Sequence, residues 1–181
     1  MRELSLHILD IAQNSIEAGA DSIEIIITEN ESSDTLTICI LDNGSGIPAE
    51  ALDNITDPFV TSRKTRRVGL GIPLFKEAAR AAGGGLQIRS AVGKGTEIKA
   101  DFSLSSIDRA PLGNIAETMA LLMVCNPEVH FKYEHIRGNT KFMCSTSSLE
   151  EILNGIPLGS PGAVSVIRSF IDGGLEDIRV S

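Results

Sequence analysis

The alternation of apolar and polar positions predicts a helix, a strand hairpin and a second helix in the first half of the chain. Apolar residues recur at helical spacing over residues 4–18, and Gly19 is placed to end that helix. The segments 22–28 and 35–42 are rich in β-branched residues and flank a polar loop, so we expect an antiparallel hairpin. A second helix is predicted from Pro73, with glycines beyond its end.

Two further strands complete the predicted fold of the first 108 residues. Residues 86–91 and 95–104 have the composition of strands that follow a helix. The pattern as a whole indicates the α+β class, as a two-layer α/β sandwich with helices on one face of a mixed, mostly antiparallel sheet. The stretch 43–68 has glycines, two prolines and weak periodicity, so we predict a functional loop or lid there.

The last part of the chain predicts a smaller group of elements. A helix is expected up to Asn126, then a hairpin around the residues "RGN", then short helices with Ser148 and Ser160 near their caps. We therefore divide the chain into a main domain, 1–108, and a small C-terminal α/β extension with a helix-hairpin-helix order, 109–181, packed on the same domain.

Composition narrows the class of protein. With 181 residues the chain has room for one main core, and its net charge of -8 argues against nonspecific nucleic-acid binding. No apolar run approaches the roughly 20 residues that span a bilayer, and no secretory signal is evident, so we expect a soluble, cytoplasmic protein without a membrane partner. The three cysteines are widely spaced without a CxxC pair, which argues against a disulfide framework and a structural zinc site.

The first helix carries a line of polar residues beside its apolar stripe. Asp10, Asn14 and Glu17 follow one another at spacings of four and three, so they project from one helix face. A solvated surface would explain this line if it stood alone. An amide and two carboxylates could also form one wall of a polar site.

The segment "LDNGSGIP", residues 41–48, places a carboxylate at a strand end before two glycines. Gly44 and Gly46 would let the backbone approach a flat ligand closely, and Asp42 could accept a hydrogen bond from an exocyclic amine. A simple turn is the alternative, because Asn-Gly and Asp-x-Gly are common in turns.

Two later segments have the features of an anion site and of a pocket edge. Gly69 and Gly71 precede a helix whose N-terminus could hold an anion, with Arg63, Lys64, Arg66 and Arg67 just upstream. A solvated basic surface is the simpler explanation of that cluster. In "GKGTEIKADF", Gly95 and Thr96 open a strand after a tight turn.

The order of these four motifs resembles the Bergerat-fold ATPases, which include gyrase B subunits, ninety-kilodalton heat-shock chaperones, sensor histidine kinases and MutL-type mismatch-repair proteins. The resemblance covers about residues 4–104. It implies that Asn14 coordinates Mg²⁺ on the nucleotide phosphates and that Asp42 binds the adenine amino group. The other residues that it assigns to ATP binding are Glu17, Ala18, Gly44, Gly46, Ile47, Thr61, Ser62, Lys64, Gly69, Leu70, Gly71 and Thr96.

The resemblance also implies a catalytic residue. In hydrolysing relatives the position four before the asparagine is usually a glutamate that acts as general base, and here it is Asp10. This carboxylate is one methylene shorter, so we expect slow turnover, because positioning dominates phosphoryl transfer. His7 continues the same helix face, and we expect a structural or capping role for it.

Within this superfamily, different segments of the chain resemble different groups of proteins. "QNSIEAGAD" is similar to the "ENSLDAGA" stretch of MutL-type proteins, whereas residues 58–98 are closer to histidine kinases and anti-sigma-factor kinases. The resemblance implies a Mg-ATP-binding protein with slow or partner-stimulated ATPase activity and a nucleotide-ordered lid. The alternatives are a serine or histidine protein kinase of the anti-sigma-factor type and a non-hydrolysing, ATP-dependent regulatory module. We also expect a protein partner or a homodimer.

Overall fold

A computed structural model describes residues 3–55 and 71–180, apart from the side chains of residues 53 and 54. The helices in this part are α1 (Leu4–Glu17), α2 (Ala49–Ile55), α3 (Gly71–Ala81), α4 (Ile115–Cys125), α5 (Leu149–Leu153) and α6 (Pro161–Val180). The strands are β1 (Ser22–Asn30), β2 (Thr35–Asp42), β3 (Gly85–Ala91), β4 (Gly95–Ser103), β5 (His130–Arg137) and β6 (Thr140–Ser145).

The six strands form one sheet in the order β3-β4-β2-β1-β5-β6. Only the β1–β5 pair is parallel among the neighbouring pairs of this sheet, so the sheet is mixed and mostly antiparallel. Helices α1, α3, α4 and α6 pack on the strands or on one another. The predicted α+β sandwich is confirmed.

Alternation along the strands decides which face of the sheet meets the helices. Ile23, Ile25 and Ile27 of β1 are fully buried. Between them, Glu24 projects to the other face and pairs with Lys132 of β5. Because successive side chains of a strand point to opposite faces, the apolar core forms on the helix side and ion pairs form on the other side.

The first helix is anchored at the middle of this core. Leu4, Ile8 and Ile11 lie on its buried stripe with at most 1% exposure. The α1 residue His7 stacks on Phe75 of α3, with ring centroids 5.1 Å apart. This packing fixes α3 beside α1, and the polar face of α1 is turned away from the sheet interior.

The C-terminal part extends the same sheet. Strand β5 pairs in parallel with β1 from Ser22↔His130 to Glu29↔Arg137, and α4 precedes it in the chain. At the start of α1, the Leu4 amide donates to the carbonyl of Pro111, 2.9 Å away. The division of the chain at residue 108 stays a prediction.

Two elements differ from the expectations. Helix α2 lies within the stretch predicted as a loop, and α6 is one helix of 20 residues where a short helix was expected. Gly173 and Gly174 lie inside α6. Gly174 packs against the ring of Phe142, where a Cβ would overlap, so close packing accounts for a glycine inside the helix.

The described ranges contain no helix that is both long and apolar enough to cross a lipid bilayer. The three cysteines are free thiols: Cys39 is half-buried, Cys125 is exposed and Cys144 is buried. Burial raises the pKa of the Cys144 thiol to about 12, so it packs as a neutral side chain.

Candidate functional site

Three polar side chains form a row across one edge of the sheet. Ser90 of β3 lies opposite Thr96 of β4, and Thr96 lies opposite Asp42 at the end of β2. Asp42 and Thr96 alternate in step with the buried residues of β2 and β4, and Ser90 with the partly buried Leu86 and Ile88 of β3, so all three face the helices. The row ends beneath α1, where Ser15 reaches Asp42.

Asp42 is held by donors from three directions. Its Oδ2 accepts from the Ser15 hydroxyl at 2.6 Å, and its Oδ1 accepts from the amides of Gly44 at 2.9 Å and Thr96 at 3.2 Å. An ionised carboxylate has about four lone-pair directions, so one remains on Oδ2. A half-buried, rigidly oriented acceptor with spare capacity suits the amino group of a ligand.

The loop after Asp42 is tied to the end of α1 and to the β3–β4 turn. The Ser45 amide donates to the carbonyl of Ala18 at 2.9 Å, and the Ser45 carbonyl accepts from Gly93 at 2.8 Å. Gly44 is buried, and a Cβ on it would lie 3.1 Å from the Cβ of Ala18. The loop therefore has a fixed position beside the row.

Gly46 and Gly95 are required by the backbone itself. Both have positive φ angles, 69° and 86°, which L side chains rarely adopt. A Cβ on Gly46 would overlap the carbonyl of Ala91, and one on Gly95 would overlap the carbonyl of Asp42. These two glycines let the loop, the turn and the strand end approach one another closely.

A second polar group lies where α3 begins beside α1. A Cβ on Gly71, the first residue of α3, would be 3.1 Å from the Cβ of Asp10 and 3.8 Å from the Nδ2 of Asn14. The first amides of a helix have no intrahelical acceptor and carry partial positive charge. An amide side chain, an exposed carboxylate and a helix N-terminus are thus brought together, an arrangement that can bind an anion with a hydrated cation.

The two groups are connected through α1. Asn14 and Ser15 are consecutive, so the residue beside α3 and the residue bonded to Asp42 share one helical turn. The predicted residues Asp10, Asn14 and Gly71 meet at one place, and Asp42, Gly44 and Thr96 meet at the other.

The remaining predicted residues have different positions. Glu17 is exposed at the end of α1, and the Ala18 carbonyl contacts the loop. The Ile47 amide donates to the Ser90 hydroxyl at 2.8 Å. Five predicted residues lie outside the described part of the chain: Thr61, Ser62, Lys64, Gly69 and Leu70.

Sequence reasoning missed Ser15 and Ser90. Ser15 is 3% exposed and continues the buried stripe of α1, four residues after Ile11. Ser90 follows Leu86 and Ile88 at every second position along β3, so its side chain projects from the same face of the strand as theirs. In both cases the available signal was a hydroxyl at a position that the apolar pattern assigns to the core, where a hydroxyl needs a partner.

His7 is a buried imidazole one turn before Asp10. It is 1% exposed, and neither ring nitrogen has a hydrogen-bond partner within the described ranges. Burial lowers the pKa of His7 to about 4, so the neutral ring packs on Phe75 at neutral pH. This environment supports the structural role expected for it.

A cavity of about 520 Å³ lies elsewhere, in the C-terminal part of the chain. Its lining includes Pro127, Val129, His130, Glu150 and Leu158, and none of the predicted residues. We place the functional site at the Asp42 row instead, because that region combines oriented hydrogen-bonding groups with a helix N-terminus.

Residues 2–106 match the family model described as histidine kinase-, DNA gyrase B-, and HSP90-like ATPase. Sporulation kinase D of Bacillus subtilis (strain 168) is 35% identical over 99 residues, which cover 55% of this chain and 19% of that protein. Sensor histidine kinase ZraS of Escherichia coli (strain K12) is 34% identical over 89 residues, which cover 49% of this chain and 19% of that protein. The chain therefore spans about one fifth of the length of these relatives.

Among solved structures, the N-terminal domain of a DNA repair protein is similar in fold. It superimposes with a TM-score of 0.58 at 14% identity, over 90% of this chain and 58% of that chain. The likeness reaches beyond residue 106 and includes most of the C-terminal elements. At this identity it shows the fold alone.

Proposed function

Because the chain belongs to the histidine kinase-, DNA gyrase B- and HSP90-like ATPase family, we propose that it binds Mg-ATP where α1 faces the sheet edge and hydrolyses it slowly or on stimulation by a partner. The observation that carries this proposal is the pair of polar groups joined by one turn of α1. Asp42 offers a spare acceptor at one group, and Asn14 lies beside the start of α3 at the other.

In this proposal the adenine base lies at the Asp42 row. Asp42 accepts a hydrogen bond from the amino group of the base, and Thr96 lies next to it in register. Gly44, Gly46 and Ile47 form the adjoining loop, which hydrogen bonds hold in a fixed position. Hydrogen-bonding groups that are held in place before binding give affinity with little ordering cost.

The phosphates lie at the second group, against the N-terminus of α3. Gly71 and Asn14 border this place, and Thr61, Ser62, Lys64, Gly69 and Leu70 are proposed to wrap the phosphates. No group of three or more histidine, cysteine or acidic side chains suited to a metal occurs in the described residues. This fits Mg²⁺, which commonly takes few protein ligands and relies on phosphate oxygens and water.

Asn14 would hold the metal ion through its amide oxygen, a hard ligand of the kind that Mg²⁺ prefers. When bound, Mg²⁺ neutralises charge on the transferred phosphoryl group. Asp10 is exposed, lies against Gly71 and is proposed to orient the attacking water. Its short side chain is the reason to expect slow turnover.

Calorimetric titration with ATP, ADP and GTP, each with and without Mg²⁺, tests the binding site. We expect adenine nucleotides to bind in preference to GTP, with an affinity that rises when Mg²⁺ is present. Asn14→Ala should remove the Mg²⁺ dependence and retain the preference for adenine, because the two groups contact different parts of the nucleotide. Equal binding of ATP and GTP would contradict the assignment of Asp42.

Asp10→Asn tests whether hydrolysis takes place. We expect this variant to bind ATP normally and to lose phosphate release by at least about 100-fold, the lower end of what one proton-transfer group contributes. Release that is equally low in both proteins would favour a regulatory module in which ATP only orders the lid.

Phosphotransfer to a partner protein is the second candidate function. Its support is the similarity to proteins named sporulation kinase D and sensor histidine kinase. Such a reaction needs an acceptor serine or histidine on a protein partner. Incubation with ATP radiolabelled on the γ-phosphate and candidate partners would detect it as label transferred to the partner.

A further inference from the structure

Ser90 is the end of the polar row that is farthest from α1. Its hydroxyl is within hydrogen-bond distance of three groups: the Ile47 amide at 2.8 Å, the Gly95 carbonyl at 2.8 Å and the Thr96 hydroxyl at 2.9 Å. The Ile47 amide belongs to the loop after β2, and Gly95 and Thr96 are the first two residues of β4. The Ser90 hydroxyl on β3 therefore joins this loop to the start of β4, and both border the proposed base site.

The chemistry of these partners fixes the direction of each hydrogen bond. The Gly95 carbonyl can only accept, so it takes the single proton of Ser90. The Ile47 amide can only donate, so it occupies one lone pair of the Ser90 oxygen. With its proton already used, Ser90 can meet the Thr96 hydroxyl only as an acceptor, and the proton of that hydroxyl points at Ser90.

Thr96 consequently presents lone pairs, and no proton, to any ligand beside it. The neighbouring carboxylate has the same polarity, because Ser15, Gly44 and the Thr96 amide all donate to Asp42. Two adjacent side chains in register thus offer only acceptors. Acceptors bind an amino group and repel a carbonyl oxygen, whose lone pairs would face theirs.

We propose that Ser90 is a positioning residue that sets base specificity: by holding the Thr96 hydroxyl as an acceptor, it makes the site select a 6-amino purine over a 6-oxo purine. This inference rests on the proposed function. It assigns to Ser90 an effect on the ligand through Thr96, in addition to its hydrogen bonds to the loop after β2 and to the start of β4.

A merely structural tie and a specificity role predict different results. If Ser90 only holds the loop, its removal weakens every nucleotide by a similar factor. If Ser90 sets the direction of the Thr96 hydroxyl, its removal frees that hydroxyl to rotate and to donate to an oxygen at position 6. The ratio of the two affinities then changes.

The test compares ATP with inosine triphosphate, in which oxygen replaces the 6-amino group. Dissociation constants are measured by calorimetry for the full chain, Ser90→Ala and Ser90→Thr. We expect the unaltered protein to prefer ATP by at least about 100-fold, and Ser90→Ala to lower this preference by about tenfold. Ser90→Thr keeps the hydroxyl and should restore the preference.

Ser103→Ala is the matched control, since Ser103 lies at the opposite end of β4 and bonds to Asp34. Thermal unfolding checks that each variant folds, and Ser90→Cys, with its weaker hydrogen bonds, replaces the alanine variant if that one does not. Ser90→Cys should prefer ATP over inosine triphosphate by a factor between those of the unaltered protein and Ser90→Ala.

An unchanged ratio of ATP to inosine triphosphate affinity in folded Ser90→Ala, whether or not the ATP affinity itself falls, would overturn this inference alone. Absence of ATP binding by the unaltered protein would overturn the proposed function and this inference together.

Discussion

Two polar networks under the helix layer are each centred on a carboxylate, and they differ in what they leave unpaired. The Asp42 network receives three donors and retains one acceptor direction on Oδ2. The Glu29 network lies near the other end of β1, where Glu29 binds His135 at 2.8 Å and His135 binds the Tyr133 hydroxyl at 2.9 Å. We call the first network open, because its carboxylate is oriented by three donors and keeps one acceptor direction, and the second closed, because both ring nitrogens of its buried histidine are paired.

With a neutral His135 ring, the closed network has one consistent set of proton positions. Burial raises the pKa of Tyr133, so its hydroxyl keeps its proton and donates to Nδ1 of His135. The other ring nitrogen of His135 then donates to Glu29, and this hydrogen bond lowers the pKa of the Glu29 carboxyl. Both ring nitrogens of His135 and the Tyr133 hydroxyl are paired, and this chain of hydrogen bonds joins β5 to β1 where the two strands run in parallel.

The difference separates a binding site from a structural connection. Both networks contain buried polar groups, so burial alone does not distinguish them. A network whose buried members pair with one another fixes the packing around it, whereas a carboxylate that three donors orient and that keeps a free acceptor direction can bind a ligand without rearrangement. Substitutions in each network test this distinction.

Asp42→Ala should weaken ATP binding by about 1,000-fold, equivalent to about 4 kcal/mol. The substitution removes the acceptor for the base and leaves the donors of Ser15, Gly44 and Thr96 without their partner. Calorimetry on the folded variant measures the change. Glu29→Gln is the matched control in the closed network and should keep ATP affinity within about twofold, because distant sites act independently.

If Asp42→Ala binds ATP within about tenfold of the unaltered protein, the open network is not the base site. If Glu29→Gln also loses binding, the two networks are energetically coupled and the distinction between them fails.

The fold followed closely from the sequence where periodicity was strong. The strand alternation of β1 and β2 and the apolar stripe of α1 located these elements to within two residues. Helix α2 has only seven residues, too few to give a clear helical period. In α6 the glycine at 174 reflects contact with Phe142, which is distant in the sequence and invisible to a local pattern.

The site was predicted through motif order, and the family resemblance inferred from that order is confirmed. Individual roles within the site stay predictions. Ser15 and Ser90 could not be assigned from the sequence, because their importance comes from partners 27 and 43 residues away, on other elements. Spacing along one chain segment identifies residues on a common face, and it does not identify which faces meet.

His135→Ala should lower the free energy of unfolding by about 3 kcal/mol, because it leaves the Glu29 carboxylate and the Tyr133 hydroxyl without their partner. Urea unfolding measures this loss, and ATP affinity should be unchanged. His130→Ala, an exposed position at the start of the same strand, should change stability by less than about 0.5 kcal/mol. A loss below about 1 kcal/mol for His135→Ala would show that the closed network contributes little to the joining of β5 and β1.

His135 and the other buried histidine, His7, differ in their hydrogen bonding. Both rings are nearly inaccessible, at 3% and 1% exposure, but His135 has a partner on each nitrogen and His7 has none among the described residues. Burial lowers the pKa of His7 from 6.5 to about 4. Below pH 6.5 the unfolded chain therefore binds a proton that the folded chain refuses, so acid weakens the fold.

The contribution of neutral His7 to stability is complete above about pH 6.5 and is lost as the pH falls toward 4. At about 1.4 kcal/mol per unit of pH, the loss by pH 5 is about 2 kcal/mol. Carboxylates titrate in the same range, so the informative quantity is the difference between the unaltered protein and His7→Phe, whose ring can still stack on Phe75. Urea unfolding of both proteins from pH 7.5 to 5 should give curves that diverge by this amount. Parallel curves would mean that His7 is protonated as readily in the folded chain as in the unfolded one, and that the imidazole has access to a hydrogen-bond partner.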